Sequence, residues 1–98
     1  MSVFIRRLKE ARVAADLSQE KLGIMAGIDE ASSSARMNQY ERGKHEPDFS
    51  MVERIAAALN LPEAYFYAKD DELAWLITQF HRMKKDKKKS ILEFVQRP

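Results

Sequence analysis

Apolar residues recur along most of the chain at the three- and four-residue spacing that is typical of one face of an α-helix. No segment alternates between apolar and polar residues as a half-buried strand would. The pattern therefore predicts an all-α protein. It divides into a compact five-helix domain over residues 1–67 and a helical extension over residues 68–98.

The first three predicted helices have recognisable ends. Ser2 can cap the first, which runs to about Asp16. Ser18 is a favoured N-cap for a short second helix, and Gly27 ends it, because glycine adopts the left-handed conformation after a helix at little cost. Residues 28–34 contain three serines and predict a polar connection. A third helix follows from Ala35 to Arg42 and ends at Gly43.

Three or four further helices are predicted. Asp48 caps a fourth helix that ends at Leu59, where Asn60 can serve as the C′ residue. Proline opens a short fifth helix at position 62. A sixth helix begins at Asp70 or Asp71. Residues 91–95 predict either a last short helix or a tail that becomes ordered only against a partner.

Composition narrows the possible chemistry. The chain has 98 residues and no cysteine, which excludes disulfides, thiolate metal sites and cysteine nucleophiles. Its two histidines are far apart in the sequence, and it has neither a glycine-rich phosphate loop nor the spacing of metal ligands. We therefore expect no enzyme activity, no metal and no cofactor. No apolar run approaches the roughly 20 residues of a membrane span, so we expect a cytoplasmic protein without a membrane partner.

Charge is distributed unevenly. The net charge is only +2, but seven basic and two acidic residues lie between positions 82 and 98. The lysines at positions 84–89 are consistent with a solvated linker or helix end, and equally with contacts to phosphate groups.

The second and third predicted helices are short and joined by a tight connection. A glycine ends the third helix, and a basic loop follows it. This arrangement is typical of a helix-turn-helix unit. In several short runs the chain resembles the Xre/Cro phage-repressor family. These runs are Leu17-Ser18-Gln19-Glu20-Lys21-Leu22-Gly23, Gly27-Ile28, Tyr40-Glu41-Arg42-Gly43-Lys44, Pro47 and Asn60-Leu61-Pro62. The resemblance covers about residues 4–67. It implies a repressor-like fold and binding of double-stranded DNA through the major groove.

The third helix needs one face in the core and one in the groove. At about 100° per residue, Met37 and Tyr40 share the inward face. Hydrogen-bonding and small side chains lie on the other face and its flank, and they suit the edges of bases. The predicted base-reading residues are Ser34, Ala35, Arg36, Asn38 and Gln39. The alternative is an ordinary solvated helix face.

The resemblance also implies roles for residues around this helix. Residues at the start of the second helix and after the third would hold phosphates, namely Ser18, Gln19, Arg42, Gly43, Lys44 and His45. Arg12 and Glu41 match a pair that bridges the first and third helices, and the alternative is that both are exposed. Gly23 stands where the family usually has alanine, which favours a close crossing of the second and third helices.

One feature departs from the family pattern. The chain from Gly27 to Glu41 is four residues longer than usual, and the extra residues are expected within positions 28–32. They either lengthen the turn or extend the start of the third helix. The assignments of Ser34 and Ala35 depend on which of these occurs.

These observations predict a sequence-specific transcriptional regulator, a repressor that binds a palindromic operator as a homodimer. The extension offers a dimer interface through Leu73, Leu76, Ile77 and Phe80; alternatively, the sixth helix folds back on its own domain. A different class of function also fits the fold, namely an antitoxin or a protein-interaction adaptor with a protein partner.

Overall fold

A computed structural model describes residues 2–97, and all regular elements in this range are helices, without strands. The predicted all-α class is therefore confirmed for the described residues. A single 3-10 helix interrupts the succession of α-helices and takes the place of the predicted fifth helix. The elements in chain order are α1 (Val3–Ala14), α2 (Gln19–Met25), α3 (Glu30–Glu41), α4 (Phe49–Leu59), the 3-10 helix (Glu63–Tyr67), α5 (Asp71–Arg82) and α6 (Lys85–Gln96).

The hydrophobic core lies between α1, α2, α3, α4 and the 3-10 helix. Each of these elements contributes residues from one face only, which is what the helical spacing of apolar residues requires. The largest fully buried side chains are Leu8, Leu22, Met37, Val52, Ile55 and Phe66. This core fixes the position of α3, whose other face remains exposed.

Several predicted helix ends are confirmed. The side chains of Ser18 and Asp48 accept hydrogen bonds from the amides three residues further on. Gly27, Gly43 and Asn60 have positive φ angles of 89°, 74° and 54°, so each chain segment leaves its helix through a left-handed residue. Ser2 occupies the N-cap position of α1, but its side chain makes no capping hydrogen bond.

The predicted start of the third helix is wrong. Helix α3 begins at Glu30, five residues before Ala35, so residues 30–34 are helical and not a loop. Asp29 caps it, because its side chain accepts a hydrogen bond from the amide of Ala31. The extra residues of the longer connection therefore extend the helix and do not lengthen the turn.

Ser33 is part of the core, which explains why a serine run can be helical here. Its side chain is fully buried, and its hydroxyl donates a hydrogen bond of 2.7 Å to the carbonyl oxygen of Glu20. A Cβ atom at Gly23 would overlap the Ser33 hydroxyl oxygen. Helices α2 and α3 thus cross closely at this pair.

We expect Gly23→Ala to lower the free energy of unfolding by about 1–3 kcal/mol, because overpacking at the crossing outweighs the gain in helix propensity. Chemical denaturation measures the change. The second variant, Gly23→Ala combined with Ser33→Ala, removes the overlapping hydroxyl and should recover part of the loss. A single variant as stable as the parent would show that the two helices separate at no cost.

Helix α5 is attached to the domain mainly at its two ends. At the start, Arg6 and Arg7 donate to the Asp71 carboxylate at 2.9 and 3.0 Å. At the end, Arg82 donates to the backbone carbonyl oxygens of Asn60 and Leu59, both at 3.0 Å. Between these contacts, Ala74 is the residue of α5 that is buried.

The contact at the start of α5 responds to pH. Hydrogen bonds from Arg6 and then from Arg7 hold the pKa of Asp71 below its usual value. A lowered pKa in the folded state stabilises the protein at all pH values above the ordinary aspartate pKa. As the pH falls below the ordinary value the stabilisation declines, and it is lost once the pH has fallen through the lowered pKa.

The predicted start of the last helix is also wrong. Helix α6 begins at Lys85, so most of the lysine-rich stretch lies in its first turns and not in a linker. None of its residues is buried. Met83 and Lys84 between α5 and α6 have extended backbone angles.

The described part of the chain measures 52 × 27 × 23 Å, and no helix within it is long and apolar enough to span a membrane.

Candidate nucleic-acid interface

Helix α3 separates buried from exposed residues along its length. Its buried residues are Ser33, Met37, Tyr40 and Glu41. Ser34 and Ala35 are exposed, and Asn38 and Gln39 are partly exposed one turn further on. At about 100° per residue these four positions form one stripe along the helix. The structure therefore brings together four of the five residues that were predicted to read bases.

The fifth of these residues, Arg36, lies at the edge of the stripe. One of its guanidinium nitrogens donates a hydrogen bond of 2.8 Å to the Tyr40 hydroxyl. The guanidinium carbon also lies 5.9 Å from the centroid of the Tyr40 ring, a distance that allows a cation–π contact. Arg36 remains exposed, but it is tied to the side of the helix that faces away from Asn38.

Arg12 and Glu41 form an ion pair between α1 and α3. The Arg12 Nε and Nη2 atoms donate to the two carboxylate oxygens of Glu41 at 2.6 and 3.1 Å. The Glu41 side chain is only 4% exposed and that of Arg12 is 15% exposed. A third donor of Arg12 reaches the carbonyl oxygen of Leu17 at 2.9 Å, just before α2. Arg12 thus connects α1, the start of α2 and the end of α3.

Gln19 extends this network to the exposed face. Its Nε2 atom donates to Oε1 of Glu41 and to Oδ1 of Asn38, both at 3.2 Å. Because this bond turns the Asn38 oxygen towards Gln19, the amide NH2 group on the other side is available to donate to a further partner. The orientation of Asn38 therefore depends on Gln19, and through Glu41 on Arg12.

The loop after α3 carries the other predicted contacts. Arg42, Gly43, Lys44 and His45 are all exposed. The amide of Lys44 donates to the carbonyl oxygen of Gln39 at 2.9 Å, and Gly43 has a positive φ of 74°. This arrangement is a glycine-dependent helix end. The chain turns sharply here, so the cationic side chains of Arg42 and Lys44 lie next to the exposed stripe of α3.

The start of α2 lies beside the last turns of α3. Ser18 is exposed, and its hydroxyl accepts a hydrogen bond from the Lys21 amide at 3.0 Å. Gln19 follows it and touches Asn38 as described. The residues predicted to hold phosphate and those predicted to read bases therefore meet at Gln19.

Two features of this surface were not predicted. The first turn of α3 adds Glu30 and Ala31 to the exposed helix surface, one turn before Ser34 and Ala35. The signal for it was Asp29, a favoured N-cap residue followed by a glutamate. The other feature is the hydrogen bond from Gln19 to Asn38, which local sequence patterns do not encode because it depends on how α2 and α3 cross.

Together, α2, a tight turn and α3 form two packed helices with one polar face open to a partner. The sequence model of a family described as helix-turn-helix domain matches residues 4–65. The chain belongs to the helix-turn-helix domain family. The match begins in α1 and ends within the 3-10 helix, so it contains the core except Phe66 and leaves α5 and α6 outside.

A solved structure extends the similarity beyond this domain. The crystal structure of the transcriptional regulator BswR superimposes with a TM-score of 0.85 at 44% sequence identity, covering 98% of this chain and 93% of that one. The similarity therefore includes the helical extension that follows the helix-turn-helix domain. A comparison with curated protein sequences finds none that matches.

Proposed function

We propose that this helix-turn-helix protein is a sequence-specific, DNA-binding transcriptional regulator of the Xre/Cro type that binds a palindromic operator as a homodimer. The observation that carries the proposal is the exposed stripe of α3. Its hydroxyl and amide side chains stand on a helix that is held rigidly by the core and by the Arg12–Glu41 pair. Such side chains form specific pairs with base edges in the major groove.

The surface divides into two kinds of contact. Ser34, Ala35, Asn38 and Gln39 would face the bases, with Arg36 reaching the groove from the side. Ser18, Gln19 and the loop residues 42–45 would hold phosphates on either side of the groove and fix the register. Repression is the simplest mode of action, because a bound dimer can act by covering a promoter.

The dimer interface is proposed to lie on α5. Leu73 and Leu76 are 49% and 50% exposed, and Ile77 and Phe80 are partly exposed. Apolar side chains exposed on one helix in this way are typical of an interaction surface. Two domains joined through this surface would present their recognition helices to two half-sites, about one helical turn of DNA apart.

An antitoxin or adaptor role is the second candidate. It is favoured by the apolar side chains of α6, because Leu92, Phe94 and Val95 are all exposed. A protein partner could cover them. An enzyme function has no support from the arrangement of the described residues.

Selection of binding sequences from a random DNA pool at near-physiological salt tests the proposed function. We expect enrichment of a two-fold symmetric motif whose half-sites lie about one helical turn apart. Binding that stays nonspecific and falls steeply with salt would contradict sequence-specific regulation. The adaptor role would then be tested by isolating a protein partner.

Gln39→Ala and Lys44→Ala are expected to act differently on DNA binding. The first should cost about 1–3 kcal/mol of discrimination at one base pair, because an amide that can pair with a base edge is lost. The second should weaken binding to every sequence alike and reduce the salt dependence. Titration of each variant against a panel of single-base operator variants separates the two. Unchanged preference in Gln39→Ala would place base reading elsewhere on α3.

A further inference from the structure

The first turn of α3 projects from the body of the domain. Asp29 and the three helical residues that follow it, Glu30, Ala31 and Ser32, are all exposed. At about 100° per residue, four successive residues point in directions that cover almost the whole circumference of a helix. No described element therefore covers a side of this turn, whereas the rest of α3 has a buried residue in every turn. These four residues form the tip of α3.

The contacts that hold α3 lie behind the tip. The close crossing with α2 is made at Ser33, whose side chain fills the space beside Gly23. The residues predicted to hold phosphate lie further back, because Gln19 bonds to Asn38 and residues 42–45 follow the last turn. In the proposed complex, phosphates line the rim of the major groove. The C-terminal end of α3 would therefore lie at the rim, and the tip would point into the groove.

The tip lengthens the reach of α3 by about two base pairs. One turn of the helix, from Glu30 to Ser34, is about 6 Å long. Successive bases of one strand are about 3.4 Å apart along the DNA axis. With α3 in the groove, Glu30 therefore meets bases beyond those that Ser34 meets.

The two acidic side chains at the tip have different roles. The Asp29 carboxylate accepts a hydrogen bond from the Ala31 amide and caps the helix. None of the ion pairs between described residues includes Glu30, so its carboxylate is available to a partner. Its neighbours Ala31 and Ser32 are small and do not keep a base edge away from it.

A carboxylate in the major groove favours one base. It only accepts hydrogen bonds when it is ionised, and the phosphates repel it. Guanine presents two acceptors and thymine presents one, so neither can pair with it. Adenine presents an acceptor beside its amino group, whereas cytosine presents the amino group at N4 alone. Cytosine is therefore the base that a glutamate in this place accepts.

We propose that Glu30 is a specificity-determining residue that selects a cytosine beyond the bases read from Ser34 onwards; this role rests on the DNA binding proposed above. The Glu30 carboxylate accepts a hydrogen bond from the cytosine N4 atom. Opposite any other base it is desolvated without a suitable donor, which costs binding free energy. Glu30 thus acts mainly by rejecting the wrong bases, and it also lowers the affinity for unrelated DNA.

Selection of binding sequences by the full-length parent, Glu30→Gln and Glu30→Ala tests this role. We expect the parental motif to contain a cytosine in each half-site that becomes adenine with Glu30→Gln, because glutamine pairs with N6 and N7 of adenine. Glu30→Ala should show no preference at that position. All other positions of the motif should stay the same. In titrations, the parent should prefer cytosine there at least fivefold, and Glu30→Ala should lose this ratio.

The same titrations give a second readout that a loss of folding would not produce. Glu30→Ala should bind operators that lack the cytosine about two- to fivefold more tightly than the parent does, because a charge that repels DNA has gone. Glu53→Ala makes the same change at an exposed position of α4 and should alter neither the motif nor these affinities. Thermal unfolding of each variant checks that it is folded.

The possible outcomes separate this role from the proposed function. An identical motif from the parent and from both Glu30 variants would overturn the reading of a base by Glu30 and leave sequence-specific regulation intact; the tip would then be free for a protein partner. A motif that changes at several positions at once would also overturn it, because α3 would then have changed its orientation. If the parent itself selects no motif, the proposed function fails, and the role of Glu30 fails with it.

Discussion

Replacing Arg12 with alanine is expected to lower the free energy of unfolding by about 3–5 kcal/mol, because it leaves the buried Glu41 carboxylate without its cationic partner. Glu41 is 4% exposed and receives two bonds from Arg12. After the substitution, its described side-chain donor is Gln19, a neutral amide. Chemical denaturation measures the loss. A change below about 1 kcal/mol would mean that the pair behaves as an exposed one.

The same pair should also affect DNA binding independently of stability. The double variant Arg12→Met with Glu41→Leu replaces the ion pair by apolar residues and is expected to be about as stable as the parent. It removes the carboxylate that holds Gln19, however, so Asn38 loses part of its support. We expect this stable variant to bind its operator more weakly than the parent. Parental affinity would contradict a role for the pair in orienting α3.

Arg42→Ala is the matched control for these variants. Arg42 is exposed, follows α3 directly and has no side-chain partner among the described contacts. Its loss should reduce operator affinity and leave the free energy of unfolding nearly unchanged. Comparison of the two arginines thus separates the proposed role of Arg12 in positioning α3 from the proposed contact of Arg42 with DNA.

Sequence patterns predicted the parts of the fold that depend on local physics. Helices α1 and α4 follow from apolar spacing, and Gly27, Gly43 and Asn60 follow from the rarity of other residues at positive φ. The start of α3 was missed because serines weaken helices in isolation. In the structure, burial of Ser33 against Gly23 outweighs that preference. Helix α6 was placed too late in the sequence, because its lysines oppose the helix dipole at that end.

The candidate site was predictable to a similar depth. The rotation of 100° per residue placed Ser34, Asn38 and Gln39 on one face of α3. This prediction requires only that the segment is helical and that two of its residues are known to face the core. It could not reveal that Gln19 holds Asn38 or that Arg36 is tied to Tyr40. Those contacts depend on helix crossing and on side-chain rotamers. Base-reading roles stay predictions until the operator is known.

Helix α5 carries the proposed dimer interface, so its attachment to the helix-turn-helix domain should control the distance between half-sites. Arg7 holds its start: Nε donates to the Ala68 carbonyl oxygen at 2.9 Å, and Nη2 donates to Lys69 and Asp71. The Arg7 side chain is only 4% exposed. We expect Arg7→Ala to lower the free energy of unfolding by about 3 kcal/mol, because buried charge-assisted hydrogen bonds are lost.

Arg6→Ala is the control for this substitution, because Arg6 shares the Asp71 carboxylate but is 38% exposed and solvent-screened. Its effect on stability should be much smaller. In Arg7→Ala, α5 keeps its contact through Arg82 at one end and only the exposed Arg6–Asp71 contact at the other, so its start is held less firmly. The variant dimer should therefore tolerate operators whose half-sites are moved by one or two base pairs, which the parent and Arg6→Ala should reject. Equal selectivity for spacing in all three proteins would show that the position of α5 is set by packing around Ala74, and not by this buried arginine.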